Sequence, residues 1–171
     1  MENKFTLYTI INDNGSKSHF LLRFDTTANL LYVYHLVGLL SDNTAENKKK
    51  LKDIFKQAPD NTISISSTAL IKFVDALGGI TISGKKIDGK AALEEVKNDH
   101  FDAVLDGIGK KISSNKSFVF KIPGLFNSLK GTYETDLNVM DVIKKTIEEA
   151  PDFRDWKAEL IKVTKENVDS I

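Results

Sequence analysis

The chain has 171 residues, 24 Lys plus Arg against 24 Asp plus Glu, an apolar fraction of 41% and no Cys. Such a length suits one domain with a real core, about 70% of the unfolded surface being removable from water, and ten Phe argue against a disordered chain. Zero net charge gives no overall pull toward nucleic acid or an anionic membrane surface, and the missing thiols exclude disulfides, thiolate metal sites and Cys nucleophiles.

Residues Phe5 to Ile11 and Ser18 to Phe24 are rich in β-branched and aromatic side chains and predict two strands, with Asn14-Gly15 between them as a hairpin signal. A third strand is expected at Leu30 to Tyr34, a helix at Ala45 to Gln57, and a short strand at Thr62 to Ser66. Ser67 is read as the cap of a helix whose Leu70, Phe73, Val74 and Leu77 recur at helical spacing, and Gly78-Gly79 ends it. Then follow a strand at Ile80 to Ser83, a helix opened by Asp88 and running through Lys97, and a helix with Phe101, Val104, Leu105, Ile108 and Ile112 on one stripe. A strand at Phe118 to Ile122, an extended piece at Gly131 to Tyr133 and a helix at Asn138 to Glu149 precede the break at Ala150-Pro151-Asp152. Phe153, Trp156, Leu160 and Val163 predict a last amphipathic helix, so the expected organisation is a domain over residues 1–150 with a C-terminal helix in 151–171 packed on it. Interleaved strands and helices indicate an α/β or α+β class, a sheet covered by helices on both faces.

The start of the chain shows no signal-peptide pattern, and Ala28 to Leu40, the most apolar stretch, is too short for a membrane span, which needs about 20 apolar residues. His19, His35 and His100 have no metal-ligand spacing and read as structural or exposed. Phosphate-loop and nucleophile-elbow patterns are absent, and the lysine run over residues 47–52 reads as a solvated helix face. Arg23 and Asp25 share one face if their strand continues, and could hold an anion and a metal or proton, although a local ion pair at a sheet edge is the plainer reading. Asp75 lies near a helix C-terminus, where the dipole disfavours a carboxylate, so a hydrogen-bonded neighbour or a ligand must offset it.

The segment from Thr62 through Val74-Asp75-Ala76-Leu77-Gly78-Gly79-Ile80 resembles the signature of the LytR-CpsA-Psr (LCP) family, in which a strand leads into a helix ending in VDALGG. Ile87 to Lys97 is similar to the family's L-x-G-x-x-A-L-x-Y-V-R block, Thr135-Asp136-Leu137-Asn138 to its T-N-L-S helix start, and Arg23-Phe24-Asp25-Thr26 to the strand ending in P-R-D-T. The resemblance covers about residues 4 to 149 in consistent order. It implies an α-β-α sandwich with an apolar cleft for a polyprenyl chain, a place outside the cytoplasmic membrane, and transfer of glycopolymer from polyprenyl pyrophosphate to the cell wall with Mg²⁺ and an Arg-rich clamp. Candidate ligand-binding residues are then Arg23, Lys97 and Asp75, with Arg23, Asp25, Asp99 and Asp102 as catalytic candidates and Asp25 as the candidate for Mg²⁺.

The departures fall on the cations. Phe24 occupies the family's Arg position and Arg23 stands one residue early, which turns the guanidinium to the opposite sheet face; Lys97 stands at the first downstream Arg and lacks the planar fork. Losing one positioned donor to developing charge typically costs about 3–4 kcal/mol of barrier. The leading expectation is therefore a catalytically degenerate LCP-like domain of the envelope, a binding or assembly module with a polyprenyl (pyro)phosphate lipid or glycopolymer as partner. The alternatives are an active phosphotransferase and an unrelated intracellular α/β interaction domain.

Overall fold

The computed structural model of the chain describes residues 5–25, 27–114, 121–131, 133–135 and 156–171. Three strands open it: β1 (Phe5–Ile11), β2 (Lys17–Asp25) and β3 (Leu30–Leu36). β1 and β2 form an antiparallel hairpin in which Tyr8 pairs with Phe20, and Gly15 takes the left-handed conformation (φ 81°) that closes its turn. β3 returns antiparallel to β2.

Next come α1 (Thr44–Phe55), capped by the Asn43 side chain, and β4 (Asn61–Ser66), which pairs parallel to β1. α2 (Ser67–Ala76) follows without a loop: Ser66 is the N-cap and accepts from the Ala69 N–H, while the neighbouring Ser67 hydroxyl donates to Asp13 in the hairpin turn. The cap therefore falls one residue before the Ser67 expected. A small hairpin of β5 (Ile80–Ile82) and β6 (Lys85–Ile87) leads to α3 (Gly89–Lys97), capped by Asp88 as expected, and α4 (Phe101–Ser114). α5 (Ile122–Ser128), β7 (Tyr133–Thr135) and β8 (Lys157–Val163) complete the described elements, with a 3₁₀ turn at Val168–Ser170. The sheet is mixed and six-stranded in the order β7-β4-β1-β2-β3-β8.

Strand alternation splits the core in two. Ile10, Phe20, Leu22, Leu31 and Val33 point to one face and pack with Leu70, Val74, Leu93, Val96, Phe101 and Val104 of α2, α3 and α4. Phe5, Leu7, Leu21, Tyr34 and Leu36 point to the other, where Leu51 of α1 meets them. The result is the expected α-β-α arrangement, helices lying on both faces of a mixed sheet. α2 and α3 approach closely because α3 begins with glycine: a Cβ on Gly89 would lie 2.2 Å from the Ile71 carbonyl oxygen.

The C-terminal helix expectation is corrected. Residues 157–163 form β8, parallel to β3 from Leu30↔Lys157 to Leu36↔Val163. Trp156, Leu160 and Val163 fit helical spacing, but Ala158 and Leu160 serve the α2–α4 core while Ile161 and Val163 serve the α1 core. A strand buried on both faces reads as a near-continuous apolar run, which periodicity alone does not separate from a helix. Of the strand expected at Phe118 to Ile122, residues 118–120 lie outside the described residues and Ile122 opens α5 instead. The helix expected at Asn138 to Glu149 and the break at Pro151 also lie outside them.

Candidate functional site

The six candidate residues do not converge. Arg23 alternates with Leu22 and Phe24, so its side chain takes the α1 face, where the guanidinium carbon lies 4.7 Å from the centre of the Tyr32 ring on the neighbouring strand. Its Nε is buried without a hydrogen-bond partner, so stacking on the ring is the contact that holds it. Asp25 shares that face but folds back on its own turn, its Oδ1 accepting from the Thr27 and Ala28 N–H groups at 3.0 Å each. Among the described residues Arg23 and Asp25 form no ion pair, and β2 is an interior strand, so the edge ion pair anticipated there is not what these residues make. Phe24 takes the α2–α4 face and packs edge-on against Trp156 at 5.3 Å. Arg23 and Phe24 thus take opposite faces of the sheet.

Lys97, Asp99 and Asp102 lie on the opposite side of the sheet from Arg23. Lys97 ends α3 in solvent, 3.5 Å from Glu94. Asp102 stands in the first turn of α4, where the helix dipole favours negative charge. Asp99, at φ 63° between α3 and α4, joins three elements: its Oδ1 is 2.8 Å from Nδ1 of His35 on β3, and its Oδ2 accepts from Lys162 of β8 at 3.1 Å. The bond from Lys162 holds the Asp99 carboxyl below its usual range. Burial lowers the His35 pKa below 6.5 against the raising effect of Asp99, so at neutral pH the uncharged ring donates its Nδ1–H to the carboxylate. His35 also stacks on Phe20, with 4.6 Å between ring centres. This cluster clamps the ends of β3 and β8 to the α3–α4 junction, and no spacing in the sequence signals it.

Asp75 has a structural partner: its Oδ1 accepts from the Gly89 N–H at 2.7 Å. The carboxylate at the negative end of α2 is offset by the positive end of α3. The other two histidines are likewise engaged, His19 with Thr9 at 3.0 Å and His100 with Glu95 at 2.7 Å. Asp25, Asp75 and Asp99 are each engaged by a separate partner, and Asp25 lies across the sheet from Asp75, Asp99 and Asp102, so the four carboxylates do not gather as one set of Mg²⁺ ligands.

Among the described residues, cavities open elsewhere on the surface. One, of about 670 Å³, lies between the β5–β6 turn and α4 and is bordered by Ser83, Asp106, Lys110 and Lys111. Another, of about 400 Å³, lies on the α1 face over Thr9, His19, Thr62 and Ser64. None of the six candidates lines either one. Among the described residues no helix is long and apolar enough to cross a membrane.

No protein-family model matches the sequence, and no curated protein matches it. Solved structures do match in fold. Lin1025 from Listeria innocua superposes with a TM-score of 0.72 at 14% identity, over 95% of this chain and 84% of its own. TagV from Bacillus subtilis gives 0.67 at 12%, over 99% and 94%. TagT bound to LI-WTA gives 0.65 at 13%, over 95% and 78%. The common architecture, reached at such low identity, gives the chain the fold of the LytR-CpsA-Psr family in a divergent sequence.

Proposed function

We propose that the chain is an LCP-like binding or assembly module of the bacterial cell envelope, acting outside the cytoplasmic membrane without transferring glycopolymer. The observation that carries this reading is the division of the candidate residues between the two sheet faces. A diphosphate leaving group concentrates negative charge that several positioned cations must meet together. Arg23 is held on Tyr32 on one side, Lys97 stands in solvent on the other, and Phe24, which the sequence resemblance sets at the family's Arg, packs against Trp156. The fold and its likeness to TagT bound to LI-WTA support the envelope setting and a glycopolymer partner. A polyprenyl lipid belongs to the reading by resemblance alone, since Phe20, Phe101, Val104 and their neighbours fill the described interior of the α2–α4 face.

The test is incubation with a polyprenyl-pyrophosphate-linked disaccharide and Mg²⁺, alongside sedimentation with isolated cell walls. The expected outcome is no sugar release above the protein-free control, with retention on walls. Mg²⁺-dependent release that is lost in Arg23→Ala would establish the transferase reading instead. Neither release nor retention would favour an interaction domain unconnected with the envelope.

A further inference from the structure

The α1 face changes character across the sheet. Under α1 it is apolar, with Phe5, Leu7, Leu21 and Tyr34 buried. Beyond Leu7 it turns polar in register: Thr9 pairs with Ser64 of β4 on one side and with His19 of β2 on the other. Strands are spaced at about 4.8 Å, so Ser64, Thr9 and His19 form a row roughly 10 Å long across three strands. Thr62, paired with Leu7, continues the polar surface along β4. These groups floor the 400 Å³ cavity, whose wall is the first turn of α1 with Thr44 and Asn47. Its size is within the ~300–1,000 Å³ range of small-ligand clefts.

We propose that this groove binds a neutral polyhydroxylated ligand, a mono- or short oligosaccharide lying across β4, β1 and β2. Three observations select that class. The lining carries six hydroxyl side chains, and among the described residues those of Ser64 and Thr44 make no hydrogen bond, so they face the groove as unspent donors and acceptors. The rim charges balance, Lys17 and Lys48 against Asp42 and Glu134, and Lys17 is closed on Asp42 at 2.7 Å, which leaves no excess of positive charge for a phosphate. His19 is uncharged at neutral pH because burial and the nearby Lys17 lower its pKa, so the floor carries no cation. The lining has no Phe, Tyr or Trp, so recognition rests on hydrogen bonds and the affinity is weak.

The inference goes beyond the envelope role and holds whether or not that role does. The test is an amide chemical-shift titration of the full chain with glucose, N-acetylglucosamine and chitobiose, with inorganic phosphate as the anionic counterpart. Saturable shifts at Thr9, His19 and Ser64 are expected with at least one sugar. Thr9→Val and Ser64→Ala should each weaken binding by roughly three- to tenfold. The spectrum of each variant reports its folding, and Thr44→Ala, on the exposed first turn of α1, gives the same test without touching the sheet. Three results would overturn the proposal: no groove shift with any sugar, groove shifts with phosphate alone, or sugar affinity unchanged in all three variants.

Discussion

The two faces of the sheet are built from the same strands yet are covered differently. The α2–α4 face is covered by three helices and closed: Phe20, Val74, Phe101 and Val104 interlock beneath them, each at most 2% exposed. Among the described residues the α1 face carries one helix, which covers Phe5, Leu21 and Tyr34 but leaves β4 and the end of β1 beside a polar groove. Retaining a fold demands continuous burial, which the first face supplies. A ligand site demands the opposite, polar groups left without protein partners, and the described surface supplies these on the second face. Fold and function can therefore diverge at separate rates on one scaffold.

The largest effect that would separate the faces is a cavity in the closed one. Phe101→Ala removes a ring 4.4 Å from that of Phe20 and should lower stability by about 4 kcal/mol in urea unfolding, while sugar-induced shifts in the groove persist under native conditions. Loss of those shifts in the folded variant would show that the faces are coupled. A smaller cost is expected from Gly89→Ala, whose methyl group must push α3 off the Ile71 carbonyl, at about 2 kcal/mol by the same measurement. A neutral outcome there would mean that the α2–α3 contact is looser than the structure has it.

The smallest effect is a pH dependence that involves both faces. His35 on the closed face and His19 on the open one both have folded pKa values below 6.5. Below that value the unfolded chain binds protons that the folded chain resists, so stability falls as pH falls. Asp99, also held low, adds to the loss only at more acid pH, as its carboxylate protonates. Melting temperatures between about pH 7 and pH 5 should decline, and His35→Gln should flatten the part due to the closed face. An unchanged slope in that variant would assign the decline to His19 and other groups.

Much of the fold was legible because its signals are local. Asn14-Gly15 marks a turn that Gly15 makes with its own backbone, Asp88 caps the helix it precedes, and Gly78-Gly79 follows α2, where Gly79 takes φ 88°. That Arg23 and Phe24 take opposite faces was readable too, because alternation along a strand is a property of the backbone. The fate of residues 157–163 was not, since their apolar spacing suits a helix and only the free edge of β3 makes them a strand. The site fared worse. Arg23 and Lys97 are 74 positions apart, and no spacing says that a sheet lies between them.

The amino-acid order alone determined the strands β1 to β4, the helices α1 to α4, the missing thiols and the face each strand residue takes, because these follow from chain geometry and near neighbours. Tertiary structure decided what each polar group meets: Asp75 the Gly89 amide, Asp99 both His35 and Lys162, Arg23 the ring of Tyr32, and Ser64 the open groove. Those partners come from distant segments brought together by burial of the two cores, so their identity exists only once the sheet has assembled.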